Sequence, residues 1–118
     1  LSDPDQKLIV ADENGALVGY ALVKPNSLPC DPPRNDALEL SRLYLLETHR
    51  SKGIGHSLME AGLDYAQEKN FTEMTLSVFS ENFGAHRFYE RYGFSKIGDY
   101  GFVVGDHIDA EWIMLKTF

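Results

Sequence analysis

Arg50, Ser51, Lys52, Gly53, Ile54 and Gly55 put two cations and two glycines within six residues. The glycines let the backbone turn with little side-chain bulk, so several N–H groups can converge on one point. A helical pattern opens at Gly55, and a helix N-terminus adds partial positive charge to the full charges of Arg50 and Lys52. One chemistry that fits is an anion cradle for a phosphate or pyrophosphate. The other reading is a basic turn that caps a helix. The six residues alone leave both open, because short glycine patterns recur in unrelated proteins.

Few other residues offer chemistry of their own. The four histidines (His49, His56, His86, His107) and Cys30 have no metal-ligand spacing, so no metal is expected. A single cysteine makes no internal disulfide. The net charge of −7 argues against a nucleic-acid partner, which needs a basic face, and favours a cationic or amine substrate. No stretch approaches the roughly 20 apolar residues that cross a bilayer, and no signal-peptide pattern is visible. No membrane partner and a cytoplasmic location are the expectations that follow. The chain begins at Leu1 rather than Met.

Its 118 residues form one domain with a single modest core. Leu8–Ala11 and Leu17–Val23 read as an antiparallel pair joined through Asn14-Gly15, a strong hairpin signal. Lys24 to Asp36 holds four prolines and reads as a loop, either functional or a tolerated surface insertion. Leu38 to Leu46 is a third strand leading into the cradle. Strict alternation puts Glu39 on one face with Leu43 and Leu45.

From Gly55 to Lys69 the spacing predicts a helix with Ile54, Leu58, Ala61, Gly62 and Tyr65 on its buried stripe. Met74–Phe79 is a fourth strand, parallel to the third across a right-handed crossover. A second helix starts at Ser80-Glu81-Asn82 and runs to about Tyr92, with Ala85, Phe88 and Tyr92 inward. Asn82 and Tyr89, seven residues apart, share the edge of that apolar face. Phe94–Val104 and Ala110–Lys116 complete a hairpin.

In this order the residues resemble the GNAT superfamily of acyl-CoA-dependent N-acetyltransferases. Arg50, Gly53 and Gly55 fit its Arg/Gln-x-x-Gly-x-Gly/Ala signature, and Phe88, Tyr89, Gly93 and Phe94 fit a Phe-Tyr-x-x-x-Gly-Phe ending. The string Glu39 to Leu45 and the tail from Gly101 to Lys116 look closest to PaiA-type polyamine acetyltransferases. Family members usually begin with a strand and two helices, and the matched residues start after them. A missing first strand would leave a sheet edge where a homodimer could form.

The resemblance implies an α/β fold: a mixed, mostly antiparallel sheet splayed at the acetyl-CoA site, with helices on both faces. It implies that backbone groups from Ser51 to Gly55 bind the CoA pyrophosphate, with Arg50 and Lys52 adding charge. Backbone groups of Leu43, Tyr44 and Leu45 would hold pantetheine and polarise the acetyl carbonyl. Glu39 would be the general base, through water, and Tyr89 the acid that protonates the leaving thiol. For Glu39 an ordinary ion-paired edge carboxylate is the rival reading, and for Tyr89 a packed core aromatic. Asn82 would bond the pantetheine arm or simply cap its helix. The implied activity is acetyl transfer to a small amine or polyamine by direct attack in a ternary complex. Two rivals share the motifs: an enzyme acetylating a protein lysine or N-terminus, and a non-catalytic acyl-CoA-binding module.

Overall fold

The structure is a computed structural model that describes residues 6–30, 32–49 and 53–118. Its elements are β1 (Lys7–Glu13), β2 (Ala16–Pro25), β3 (Leu38–Leu45), α1 (Ile54–Glu68), β4 (Glu73–Phe79), α2 (Phe83–Arg91), β5 (Ser95–Val104) and β6 (His107–Thr117). The described strands form one six-stranded sheet in the order β1-β2-β3-β4-β6-β5. All neighbours are antiparallel except β3 and β4. The mixed, mostly antiparallel α/β architecture is the expected one.

Local chemistry sets the element ends. Asn14 (φ 55°) and Gly15 (φ 86°) both sit in the left-handed region, as a two-residue turn matched to strand twist requires. Asn70 (φ 65°) turns the chain out of α1, as its tolerance of that conformation predicts. The second hairpin is tighter than the sequence suggests, with only Gly105 and Asp106 between β5 and β6.

The core lies between α1 and one face of the sheet. Leu58, Met59, Leu63 and Ala66 pack with Val23, Leu38, Leu40, Met74, Leu76 and Met114. Each such large side chain contributes about 1.5–3 kcal/mol by leaving water. The buried stripe of α1 is Gly55, Leu58, Met59, Gly62, Leu63 and Ala66. Ile54, Ala61 and Tyr65 flank it half-buried rather than centring it.

Both described helices lie on this one face, which corrects the expectation of helices on both. A Cβ on Gly62 of α1 would lie 3.9 Å from Val23, which stands opposite Leu40. Alternation and register carry that face through Leu38, Met74 and Val78 to Trp112. Trp112 stacks on His86 of α2 at 3.9 Å between ring centroids. The physical reason is handedness for α1, whose right-handed crossover selects a face, and the aromatic stack for α2. His86 is the only fully buried residue of α2, and its Nε2 lies 3.0 Å from the Phe79 carbonyl.

One irregularity matters for the site. The β2–β3 register shifts where Val23 faces Leu40 and Leu22 faces Arg42, so Ser41 is an extra residue, a β-bulge. The extra residue reverses the alternation. Leu40 and Leu43 consequently share the helix face, whereas Glu39 lies on the open face with Arg42 and Tyr44. The expectation that Glu39 shares a face with Leu43 and Leu45 is thereby overturned.

Candidate active site

β3 and β4 pair at two positions only, Leu38 with Met74 and Glu39 with Thr75. Beyond them the strands part, and β3 runs on to Leu45 with a partner only in β2. Leu46 donates its amide to Val18 at 2.9 Å. By antiparallel alternation the amide and carbonyl of Tyr44 then turn toward β2, and those of Leu43 and Leu45 turn into the gap. Main-chain groups without a strand partner are what a polar, extended ligand needs.

On the helix face the gap opens into a cavity of about 540 Å³. Leu43, Tyr44 and Leu45 form one wall, Gly53, Gly55 and His56 of the α1 start a second, and Asn82, Ala85, Phe88 and Arg91 a third. Gly53 adopts φ 78°, a conformation most residues reach only with strain, and caps α1 without any side-chain acceptor. Ser57 is the first amide in the helix to bond back, to Gly53 O at 3.1 Å. The amides of Ile54, Gly55 and His56 therefore have no intrahelical acceptor. The first turn carries no acidic residue. An uncapped, acid-free helix start of this kind favours an anion. A Cβ on Gly55 would meet Leu45 Cδ1 at 3.1 Å and Phe88 at 3.8 Å, so glycine permits the close approach of three elements.

Asn82 caps α2, its Oδ1 accepting from the Ala85 amide at 3.3 Å, and also lines the cavity. The cap occupies the oxygen and leaves the NH2 toward solvent or ligand. His56 contacts the Tyr92 hydroxyl and joins the two helices at the rim. His56 and Arg91 were not predicted as site residues. Their helical positions facing one gap become visible only when both helices are placed.

Glu39 and Tyr89 do not line this cavity. Glu39 is 6% exposed and accepts hydrogen bonds at Oε1 from the amide and hydroxyl of Ser27, each at 2.8 Å. It belongs to a second cavity, about 410 Å³, on the open face, with Lys24, Ser41, Arg42, Ser77 and Tyr100 on the lining. The ring of Tyr89 packs edge-on against Phe88 and Phe94, with centroids 5.4 and 6.0 Å away. Burial holds its phenol above the ordinary value of 10.0, so it keeps its proton through the neutral range. Arg50, Ser51 and Lys52 lie outside the described residues. Of the predicted set, the structure gathers Leu43, Tyr44, Leu45, Gly53, Gly55 and Asn82 around one cavity, with Ile54 half-buried beside it.

Among the described residues, no group of three or more His, Cys, Asp or Glu is arranged to hold a metal ion. No described helix is long and apolar enough to cross a membrane.

Comparison with known proteins meets this geometry at the level of family. The acetyltransferase (GNAT) family profile matches residues 1–94. An uncharacterised N-acetyltransferase of Mycobacterium tuberculosis is 30% identical over 116 residues, which are 98% of this chain and 70% of that protein. The ribosomal-protein-S18-alanine N-acetyltransferase of Escherichia coli superposes with a TM-score of 0.80 at 18% identity, covering 98% of this chain and 71% of that one. The PaiA N-acetyltransferase of Thermoplasma acidophilum, solved with coenzyme A, gives 0.74 at 24% identity, covering 97% and 62%. The PaiA enzyme is the more identical of the two and the ribosomal-protein enzyme superposes the better, so the comparisons reach the family and not the subgroup.

Proposed function

The chain belongs to the GNAT family of acetyl-CoA-dependent N-acetyltransferases, and we propose that its acceptor is a primary amine entering from the open face of the sheet. The observation that carries this reading is the gap itself. β3 and β4 separate after Glu39 and Thr75, with a cavity on the helix face and another on the open face. Donor and acceptor would then approach one gap from opposite sides.

The helix-face cavity fits coenzyme A on its own chemistry: an acid-free helix start with free amides, and unpaired main-chain groups on Leu43 and Leu45 beside it. When bound, acetyl-CoA supplies the activated acetyl group. The amides of Ile54 to His56 hold phosphate oxygens, with the charges of Arg50 and Lys52 assigned to the same task. The Leu43 or Leu45 amide donates to the carbonyl oxygen to be polarised. Asn82 presents its free NH2 to the pantetheine arm.

An alkylamine with a pKa near 10.4 arrives mostly protonated. Glu39, on the acceptor side, takes that proton through water so that the nitrogen lone pair can attack. Tyr89, protonated and on the helix that walls the donor cavity, gives a proton to the departing thiol. The C–N bond would form as the C–S bond breaks, the second proton lost by the nitrogen would return through water to Tyr89, and no group on the protein would be acylated.

Small amines and polyamines are the acceptors first expected. A second reading comes from Lys24 and Arg42, which stand with Glu39 around the acceptor cavity. Two cations there suit an amine with an anionic group nearby, such as an amino acid or a peptide. An acetyl-CoA-consumption assay across polyamines, monoamines, amino acids and peptides decides between them. Transfer should occur to at least one amine class, and Tyr89→Phe should lower kcat by about 10²-fold while leaving CoA affinity unchanged. Binding of CoA without transfer to any amine would sink the catalytic reading, and an unchanged rate in Tyr89→Phe would remove Tyr89 from the chemistry.

A further inference from the structure

We propose that Ser27, on the proline-rich loop, is a positioning residue that fixes the orientation of Glu39; the inference rests on the reading of Glu39 as the base. Ser27 approaches Glu39 with two donors at once, its amide and its hydroxyl, each 2.8 Å from Oε1. Among the described residues, Oε2 receives no hydrogen bond. A buried carboxylate needs donors to offset its lost hydration, and here one oxygen takes both. The other is left for the acceptor cavity that Glu39 lines together with Ser27.

The loop is built to deliver Ser27. Its neighbour Asn26 donates to the carbonyls of Leu28 (3.4 Å) and Arg34 (3.3 Å) and accepts from the Leu28 amide (3.2 Å) and the Thr75 hydroxyl (2.7 Å). Thr75 is fully buried on β4, directly across from Glu39. The loop is therefore tied to the last rung before the strands part. A base whose oxygen must meet a water or an amine within about 3 Å gains from having a single orientation, since small misplacements are costly in rate. Ser27 supplies that orientation through its two hydrogen bonds to the carboxylate.

The test uses the full chain and the amine accepted best in the panel assay. Ser27→Ala keeps the amide and removes the hydroxyl. It should lower kcat by about tenfold with the Kd for acetyl-CoA unchanged, the size expected when a hydrogen bond to a charged group is lost. Ser27→Thr should restore the rate, and Ser27→Gly serves as a second deletion if alanine perturbs folding. On a Glu39→Gln background, Ser27→Ala should cause no further loss, because the residue acts only through the carboxylate. A full tenfold loss on that background, or a parental rate in Ser27→Ala while Glu39→Gln is slow, overturns the role of Ser27 alone. A parental rate in Glu39→Gln removes the base assignment and Ser27 with it, yet leaves acetyl transfer standing. Failure of the parent chain to acetylate any amine overturns the proposed function itself.

Discussion

Two acidic side chains on the open face have different surroundings. Glu39 has two Ser27 donors on one oxygen, whereas Glu111 is raised above the ordinary carboxylate value of 4.5. Burial is the main cause and Asp109 the second, with a hydrogen bond to Ser77 pulling the other way. A carboxyl raised in the folded state favours folding while it is protonated, and that advantage disappears as pH rises through its folded pKa. At neutral pH the ionised Glu111 is therefore a net cost to the fold. Glu111→Gln should raise the urea midpoint at pH 7, and the gain should shrink as pH falls through the raised folded pKa and be gone below about 4.5. An equal gain at both pH values would mean that packing, not charge, is responsible. Neither environment is legible in the sequence. Ser27 lies twelve residues from Glu39 and Ser77 lies 34 from Glu111, so only the fold makes them neighbours.

Elements are legible wherever a period repeats over several residues. The six strands and two helices follow alternation, turn residues and helical spacing, and their ends agree within a few positions. What escaped was the single extra residue. Ser41 breaks no pattern in Leu38 to Leu46, yet its bulge moves Glu39 to the other face from Leu43. A bulge is set by pairing with β2, and pairing is not local information. The proline-rich loop escaped for the same reason. Four prolines say only that no regular element forms there; they do not show that Asn26 fastens the loop to Thr75 at 2.7 Å. Removing that fastening is predicted to be expensive. Asn26→Ala strands the buried Thr75 hydroxyl without its acceptor and should cost about 1–3 kcal/mol. Combining it with Thr75→Val removes both partners and should recover part of the loss. Urea denaturation of the single and double variants measures this directly. Strict additivity would show that the two side chains do not work as a pair.

At the scale of the molecule, the sheet is continuous on both flanks and open in the middle. β1, β2 and β3 form one antiparallel block and β4, β6 and β5 another. Two residue pairs join the blocks directly, and α1 and the core bridge them on one face. The centre of the sheet thus has main-chain groups that no strand satisfies, lying beside a helix start that no side chain caps. A ligand that satisfies both sets should bind the folded chain and not the unfolded one. At one hundred times its Kd, acetyl-CoA should stabilise the fold by about 2.7 kcal/mol, which for a chain of this size raises the Tm by on the order of ten degrees. The location of the effect is the sharper test. Hydrogen exchange should slow at the amides of Leu43, Leu45 and Ile54 to His56, where free donors acquire acceptors. The turn after α1 at Lys69 and Asn70 lies a helix length, about 20 Å, from the α1 start and should report only the global gain. Protection at that turn without protection at Ile54 to His56 would place the cofactor elsewhere. The same result would leave the open helix start without a role.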